Sequence, residues 1–153
     1  MPFLSATRLH LRSKLYYLPF LLYTWRSGRQ ARKSPGFRGG ALGGDADGGM
    51  WTVTAWDLEA SMREFRSSGA HRAAMPKLLN WCDEASFTHW TVETADLPTM
   101  DEAYQRLRSG GKISKVNHPS AAHASGRTVS ETRPRAGIFL RKSGSEAAGD
   151  GRG

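Results

Sequence analysis

Apolar and polar residues alternate through residues 3–12 (FLSATRLHLR). Phe3, Ser5, Thr7, Leu9 and Leu11 fall on one side of an extended chain, and Ala6, Arg8, His10 and Arg12 on the other. A period of two predicts a half-buried strand. After a connection through Ser13, Pro19 suits the first turn of a helix, where a missing N–H costs nothing. That helix runs to about Lys33 and stops before Ser34-Pro35-Gly36. Its small residues Thr24, Ser27 and Ala31 recur at helical spacing, which permits close packing or leaves space for a pocket. Residues 37–42 form a weak second strand, and a Gly/Asp-rich hairpin loop spans 43–49. Residues 50–56 (MWTVTAW) make the strongest strand, rich in β-branched and aromatic side chains.

Asp57 is placed to cap a helix beginning at Leu58, whose apolar stripe is Leu58, Met62 and Phe65. Gly69 breaks it. A second helical segment runs from Ala70 to about Cys82, with His71, Ala74, Met75 and Leu78 on one face. Residues 86–93 (SFTHWTVE) form the last strand, and residues 100–108 a short final helix. The order β-α-β-β-α-β predicts an α+β fold of ferredoxin-like, split-βαβ type. Such a sheet has helices on one face, and the opposite face, aromatic and β-branched here, calls for a second subunit. A homodimer joined through the sheet is therefore expected. From Asn117 the chain is rich in Ser, Gly, Arg and Ala with little periodicity. The division is thus a domain at 1–118 and a flexible basic tail at 119–153, in which only residues 136–142 (AGIFLRK) have the character to pair or dock.

Charge changes this picture in one place. Residues 1–44 hold eight Lys/Arg and no Asp or Glu, so the whole net charge of +8 lies there, and the remaining chain balances. A nucleic-acid or anionic-membrane footprint is one reading, and a solvated helix face is the simpler one. No nucleic-acid module accompanies the charge, and the aromatics are not interleaved with it as a stacking platform. The apolar run at 15–25 (LYYLPFLLYTW) is too short to span a bilayer, so membrane contact is at most peripheral. A single cysteine, Cys82, excludes an intrachain disulfide and fits a reducing, cytoplasmic setting.

The series WTVTAW, MREF and SGAHRAAMP, closed by WCDEAS and His89-Trp90, resembles small monooxygenase-like proteins of the dimeric α/β-barrel superfamily. The likeness covers roughly residues 5–118 and falls nearest the spheroidene monooxygenase-like group and the antibiotic biosynthesis monooxygenase-like proteins. It implies sheets paired back to back in a dimer, and a pocket between sheet and helices in each subunit. It also implies an oxygenase acting on an apolar or aromatic molecule, either without a cofactor or with haem. A non-oxidative isomerase or cyclase, and a non-catalytic binding or scaffold protein, share the same fold. The sequence carries neither a dinucleotide-binding glycine fingerprint nor a cysteine cluster for iron–sulfur.

His71, just past Gly69 on the Met75/Leu78 face, is the first candidate for chemistry. It is a general base for a phenolic substrate, a single axial haem ligand, or a histidine that caps the glycine turn. Met75, one turn on, would approach the same side of a haem as His71 and so cannot be the opposite ligand. His89 and Trp90 point to opposite faces of their strand. With Arg8, Trp51, Trp56 and Met75 they complete the expected substrate-binding set, though the tryptophans also serve as core mass and Arg8 as a salt-bridge partner of Asp57 or Glu84. Cys82 lacks a matched base and reads as a buried structural thiol. A zinc site from His71, Cys82 and His89 would lack a fourth ligand.

Overall fold

A computed structural model describes residues 1–94 and 96–144. Its strands are β1 (Phe3–Leu11), β2 (Phe37–Gly44), β3 (Met50–Trp56), β4 (Cys82–Thr91), β5 (Lys112–Ile113) and β6 (Arg135–Leu140). The helices are α1 (Tyr17–Lys33), α2 (Glu59–Arg66), α3 (Gly69–Trp81), α4 (Met100–Gly110) and α5 (Ala121–Ala124), with a 3-10 turn at Lys14–Tyr16. The strands form one antiparallel sheet in the order β5-β4-β1-β3-β2-β6. Its middle, β4-β1-β3-β2, is the ferredoxin-like arrangement that the element order predicted, and β5 and β6 extend it at the two ends.

β1 lies at the centre, paired along its length with β3 on one side and β4 on the other. Its alternation is real, and both of its faces are covered. Phe3, Ser5, Thr7 and Leu9 face α1, α2 and α3, whereas Leu4, Ala6 and Arg8 face the opposite way. There Leu4 and Ala6 join Trp51, Val53, Ala55 and Trp90 against Ala103, Tyr104 and Leu107 of α4 and Val129 beyond it. The expectation of helices on one face only is therefore corrected. Trp90 is 8% exposed and lies under the chain's own α4, not at an open sheet face.

The described part of the stretch expected to be a flexible tail is laid onto the domain. The Ser86 hydroxyl donates to the Thr128 carbonyl at 2.6 Å, and the Tyr104 hydroxyl to the Ser130 carbonyl at 3.0 Å. Thr128 in turn donates to the Leu107 carbonyl. His123 of α5 is buried and accepts the Ala85 N–H. β6 then pairs with β2 from Gly40↔Leu140 to Gly44↔Arg135. Backbone satisfaction explains how a segment without an apolar period is held: its polar groups find partners on α4 and β4, so burial costs little. Residues 145–153 of the expected tail lie outside the described residues.

Element ends differ from expectation for local reasons. Asp57 does not cap α2: the cap position is Leu58, without a side-chain bond, and Asp57 pairs with Arg38 instead. Ser34 ends α1 in an extended conformation, as the residue before Pro35 must, and Gly36 takes φ 81. β4 begins at Cys82, whose thiol is buried at the α3 exit and is pushed up to about 12, first by burial and then by the Asp83 charge. Among the described residues no helix is long and apolar enough to cross a membrane.

A chain ending at Pro119 would expose the α4 side of the core and lose β6. We predict destabilisation by several kcal/mol and a melting temperature lowered by on the order of 10 °C. Thermal denaturation of the truncated chain beside the full one measures it.

Candidate functional site

The helices on the Phe3 face do not close onto the sheet. Between them lies a cavity of about 300 Å3. Its floor is the sheet, with Ser5, Thr7 and Leu9 of β1, Thr52 and Thr54 of β3, and Phe87 and His89 of β4. Its roof is α1, whose Tyr23, Thr24, Ser27, Gly28 and Ala31 line it, and the small residues at helical spacing leave the space beneath the helix unfilled. Met62, Phe65 and Arg66 of α2, and His71, Ala74, Met75 and Leu78 of α3, close one side. Leu140 of β6 also reaches in. The lining is mostly apolar, with hydroxyls, two imidazoles and the cations Arg66 and Lys115 among it.

Of the residues expected to form the site, His71, Met75 and His89 line this cavity. Trp56 lies just outside the lining, packed on Phe65 (5.1 Å between ring centroids) and Phe37, with its Nε1–H donated to Thr54. Arg8, Trp51 and Trp90 are on the far face of the sheet and do not line it. The physical reason is strand parity: each sits one residue away from a lining neighbour, Thr7, Thr52 or His89.

His71 is positioned by a residue that carries no periodic signal. Gln30 of α1 accepts the His71 backbone N–H at 3.0 Å and donates to the Ser68 carbonyl at 2.8 Å and the Phe65 carbonyl at 3.1 Å. One amide thereby joins the end of α2 to the start of α3. Gly69, at φ 58, makes the turn, and a Cβ there would lie 2.9 Å from the Gln30 amide carbon. The imidazole packs on Phe65 at 4.9 Å. Its Nδ1 is 3.3 Å from the Arg66 carbonyl. Because a carbonyl only accepts, Nδ1 carries the proton and Nε2 keeps its lone pair. Burial lowers the His71 pKa below its ordinary value, and the Arg66 charge adds to this against the opposing carbonyl bond. His89 lies between Phe3 (5.2 Å) and Phe87 (5.4 Å) and is likewise lowered, by burial first and then by Arg66. Both rings are therefore neutral at neutral pH.

Arg8 has a different task. Buried on the far face, it donates to Asp45 at 2.8 Å and Glu84 at 2.6 Å, so of the two partners expected for it Glu84 is real and Asp57 is replaced by Asp45. Burial alone would raise Asp45, but hydrogen bonds from Arg8, Trp51 and the Gly49 N–H hold it below its ordinary value. Glu84 is held down in the same way, by Arg8 and Ser120. Arg8 and Glu84 border a polar cleft of about 340 Å3 with His10, Asp47, Arg127 and Glu131, in which both signs of charge occur.

A haem suits the cavity poorly. His71 Nε2 is a competent iron ligand, but about 300 Å3 is the small end of the range for ligand pockets, and a porphyrin would leave no room for a second molecule. Among the described residues no three His, Cys, Asp or Glu side chains converge on one metal position, the His71, Cys82 and His89 set included.

The family described as "Domain of unknown function (DUF3291)" matches residues 23–112. No curated protein matches the sequence. Among solved structures, a variant of SnoaB, a cofactor-independent oxygenase from Streptomyces nogalater, shares the fold with TM-score 0.52 and 13% identity over 61% of this chain and 94% of that one. A Nitrosomonas europaea protein, a candidate antibiotic biosynthesis monooxygenase, gives TM-score 0.54 and 10% identity over 60% and 90%. A Mycobacterium tuberculosis protein gives 0.52 and 19% over 63% and 100%. The resemblance to antibiotic biosynthesis monooxygenase-like proteins is thus one of fold.

Removing the Gln30 amide should loosen the α2–α3 corner. Gln30→Ala is expected to cost about 1–2 kcal/mol in denaturant unfolding. Arg8→Met, which strands two carboxylates, should cost about 3–5 kcal/mol. Because Asp45 and Glu84 are held below their unfolded values, their contribution is complete above the ordinary carboxylate range and is lost as pH falls through the lowered folded values. Acid unfolding of the wild type should therefore show a steep limb in that window, and Arg8→Met should flatten it.

Proposed function

We propose that the chain, which belongs to the DUF3291 family, is a small monooxygenase that takes an apolar, phenolic aromatic molecule into the cavity between sheet and helices. The observation that carries this reading is a neutral imidazole at His71, with no partner for Nε2 among the described residues, in the wall of a mostly apolar chamber. The fold it shares with a cofactor-independent oxygenase agrees with the reading.

The chemistry needs few protein groups. His71 Nε2 takes the phenol proton, and the resulting phenolate is electron-rich enough to give one electron to O2. The superoxide and phenoxyl radical combine at a ring carbon, and the proton held by His71 completes the hydroperoxide. Loss of water from that intermediate leaves a quinone, so phenol and O2 become quinone and H2O, with all electrons supplied by the substrate. His89 and the hydroxyls of Ser5, Thr7, Thr52 and Thr54 orient the substrate oxygens, while Phe65, Phe87 and Met75 hold the ring. We further propose a cytoplasmic homodimer. Its contact would be the outer edge of β6, which pairs only with β2 among the described residues and leaves Ile138 and Phe139 exposed.

Polycyclic phenols offered to the purified protein should be consumed with uptake of one O2 per quinone and no hydrogen peroxide. His71→Ala should fold normally and lose at least about a hundredfold in kcat. The rate should fall on the acid side as His71 protonates below the ordinary histidine value of 6.5, and that limb should vanish in the variant. Binding without oxygen uptake would leave a binding protein, and rearranged product without oxygen uptake an isomerase. A Soret band on adding haemin, lost in His71→Ala, would replace the cofactor-free mechanism. Sedimentation equilibrium should return twice the chain mass, and Phe139→Asp should halve it.

A further inference from the structure

α1 has a second face, turned away from the cavity. Leu18, Leu21, Leu22 and Trp25 follow one another at the spacing i, i+3, i+4, i+7 and form a single stripe. Leu18 is 80% and Trp25 58% exposed, and Leu15 of the preceding turn is 84% exposed. An apolar stripe of this length on a helix is normally buried; this one faces outward along the helix that roofs the pocket.

The surroundings of the stripe are basic throughout. Lys14, Arg26 and Arg29 border it, and α3, packed beside α1, adds Lys77. Neither helix contains an Asp or Glu. Among the described residues none of these four cations has a salt bridge; three of them rest on aromatic rings, Arg29 on Trp25 at 5.0 Å and Arg26 and Lys77 on Tyr23. Elsewhere on the surface, by contrast, arginines pair with carboxylates, as Arg38, Arg63 and Arg133 do.

We infer that this face of α1 docks on an anionic lipid surface, with Leu18, Leu21, Leu22 and Trp25 in the acyl boundary and the four cations among the headgroups. A helix of that composition lies in the plane of the interface, and juxtaposed basic residues are attracted to anionic lipid. A second copy is the poorer occupant. Two-fold packing of α1 on α1 centred on the stripe would bring Arg29 of each copy to the Lys14 end of the other, with no carboxylate on either helix to offset them. The inference is independent of the chemistry proposed for the cavity, since none of the docking residues lines it.

The test uses the full chain with vesicles of phosphatidylcholine alone and of phosphatidylcholine mixed equally with phosphatidylglycerol. Co-sedimentation should be about tenfold or more stronger with the mixed vesicles and should weaken as salt rises. Trp25 should give a blue-shifted emission on binding. Leu18→Glu and the double variant Arg26→Glu/Arg29→Glu should each abolish binding while keeping the wild-type melting temperature, because these side chains are exposed. Trp25→Phe should bind and lose the blue shift. Absence of binding to the mixed vesicles, equal binding to both kinds, or binding undiminished in both charge-changing variants would overturn the inference. So would a dimer that Leu18→Glu dissolves in a protein that ignores vesicles, which would assign the stripe to a second copy.

Discussion

The central strand β1 is hydrogen-bonded on both edges and carries side chains that need cover on both faces, and the single chain must supply both covers. Phe3 and Leu9 point one way, Leu4 and Ala6 the other. The two solutions are unequal. On the Leu4 side, α4 and the segment around Val129 press directly on the sheet, with Ala6 and Ala103 letting strand and helix approach, and the interior is filled. On the Phe3 side, three helices span the sheet, and the small residues of α1 keep it from being filled. The cavity is therefore what remains of an incompletely covered face, and its chemistry is set by whichever side chains of β1, β3 and β4 share the parity of Thr7.

That parity explains what could and could not be read in the sequence. The alternation of residues 3–12, the strand at 50–56 and the breaks at Gly36 and Gly69 were legible because each rests on local steric rules. So was the element order, and with it the sheet. The small-residue stripe Thr24, Ser27, Ala31 allowed either close packing or a gap, and it lines a gap. Which face of β1 was the pocket side was not legible, since both faces carry apolar residues. Arg8, Trp51 and Trp90 were accordingly grouped with a site from which one residue of parity separates them.

The remaining misses share another cause. Residues 120–140 have no amphipathic period, because they are held by single hydrogen bonds from Ser86, Tyr104 and Thr128 and by pairing to a strand whose glycines admit a close neighbour. At Gly43, a Cβ would collide with the Arg135 carbonyl. Gln30 reads as one more polar residue on an exposed helix, and its three bonds appear only when α1, α2 and α3 meet. Long-range polar contacts leave no spacing to detect, whereas packing does.

Cys82 carries a practical consequence of the fold. Its sulfur is wholly buried where α3 gives way to β4, and its ionisation is suppressed far above neutral pH. A thiol in that condition does not meet alkylating or disulfide reagents while the sheet is intact, yet reacts at once when β4 separates from β1. As the sole cysteine of the sequence, it makes the labelled fraction of a sample a direct count of opened molecules, with a stopwatch in place of a denaturant.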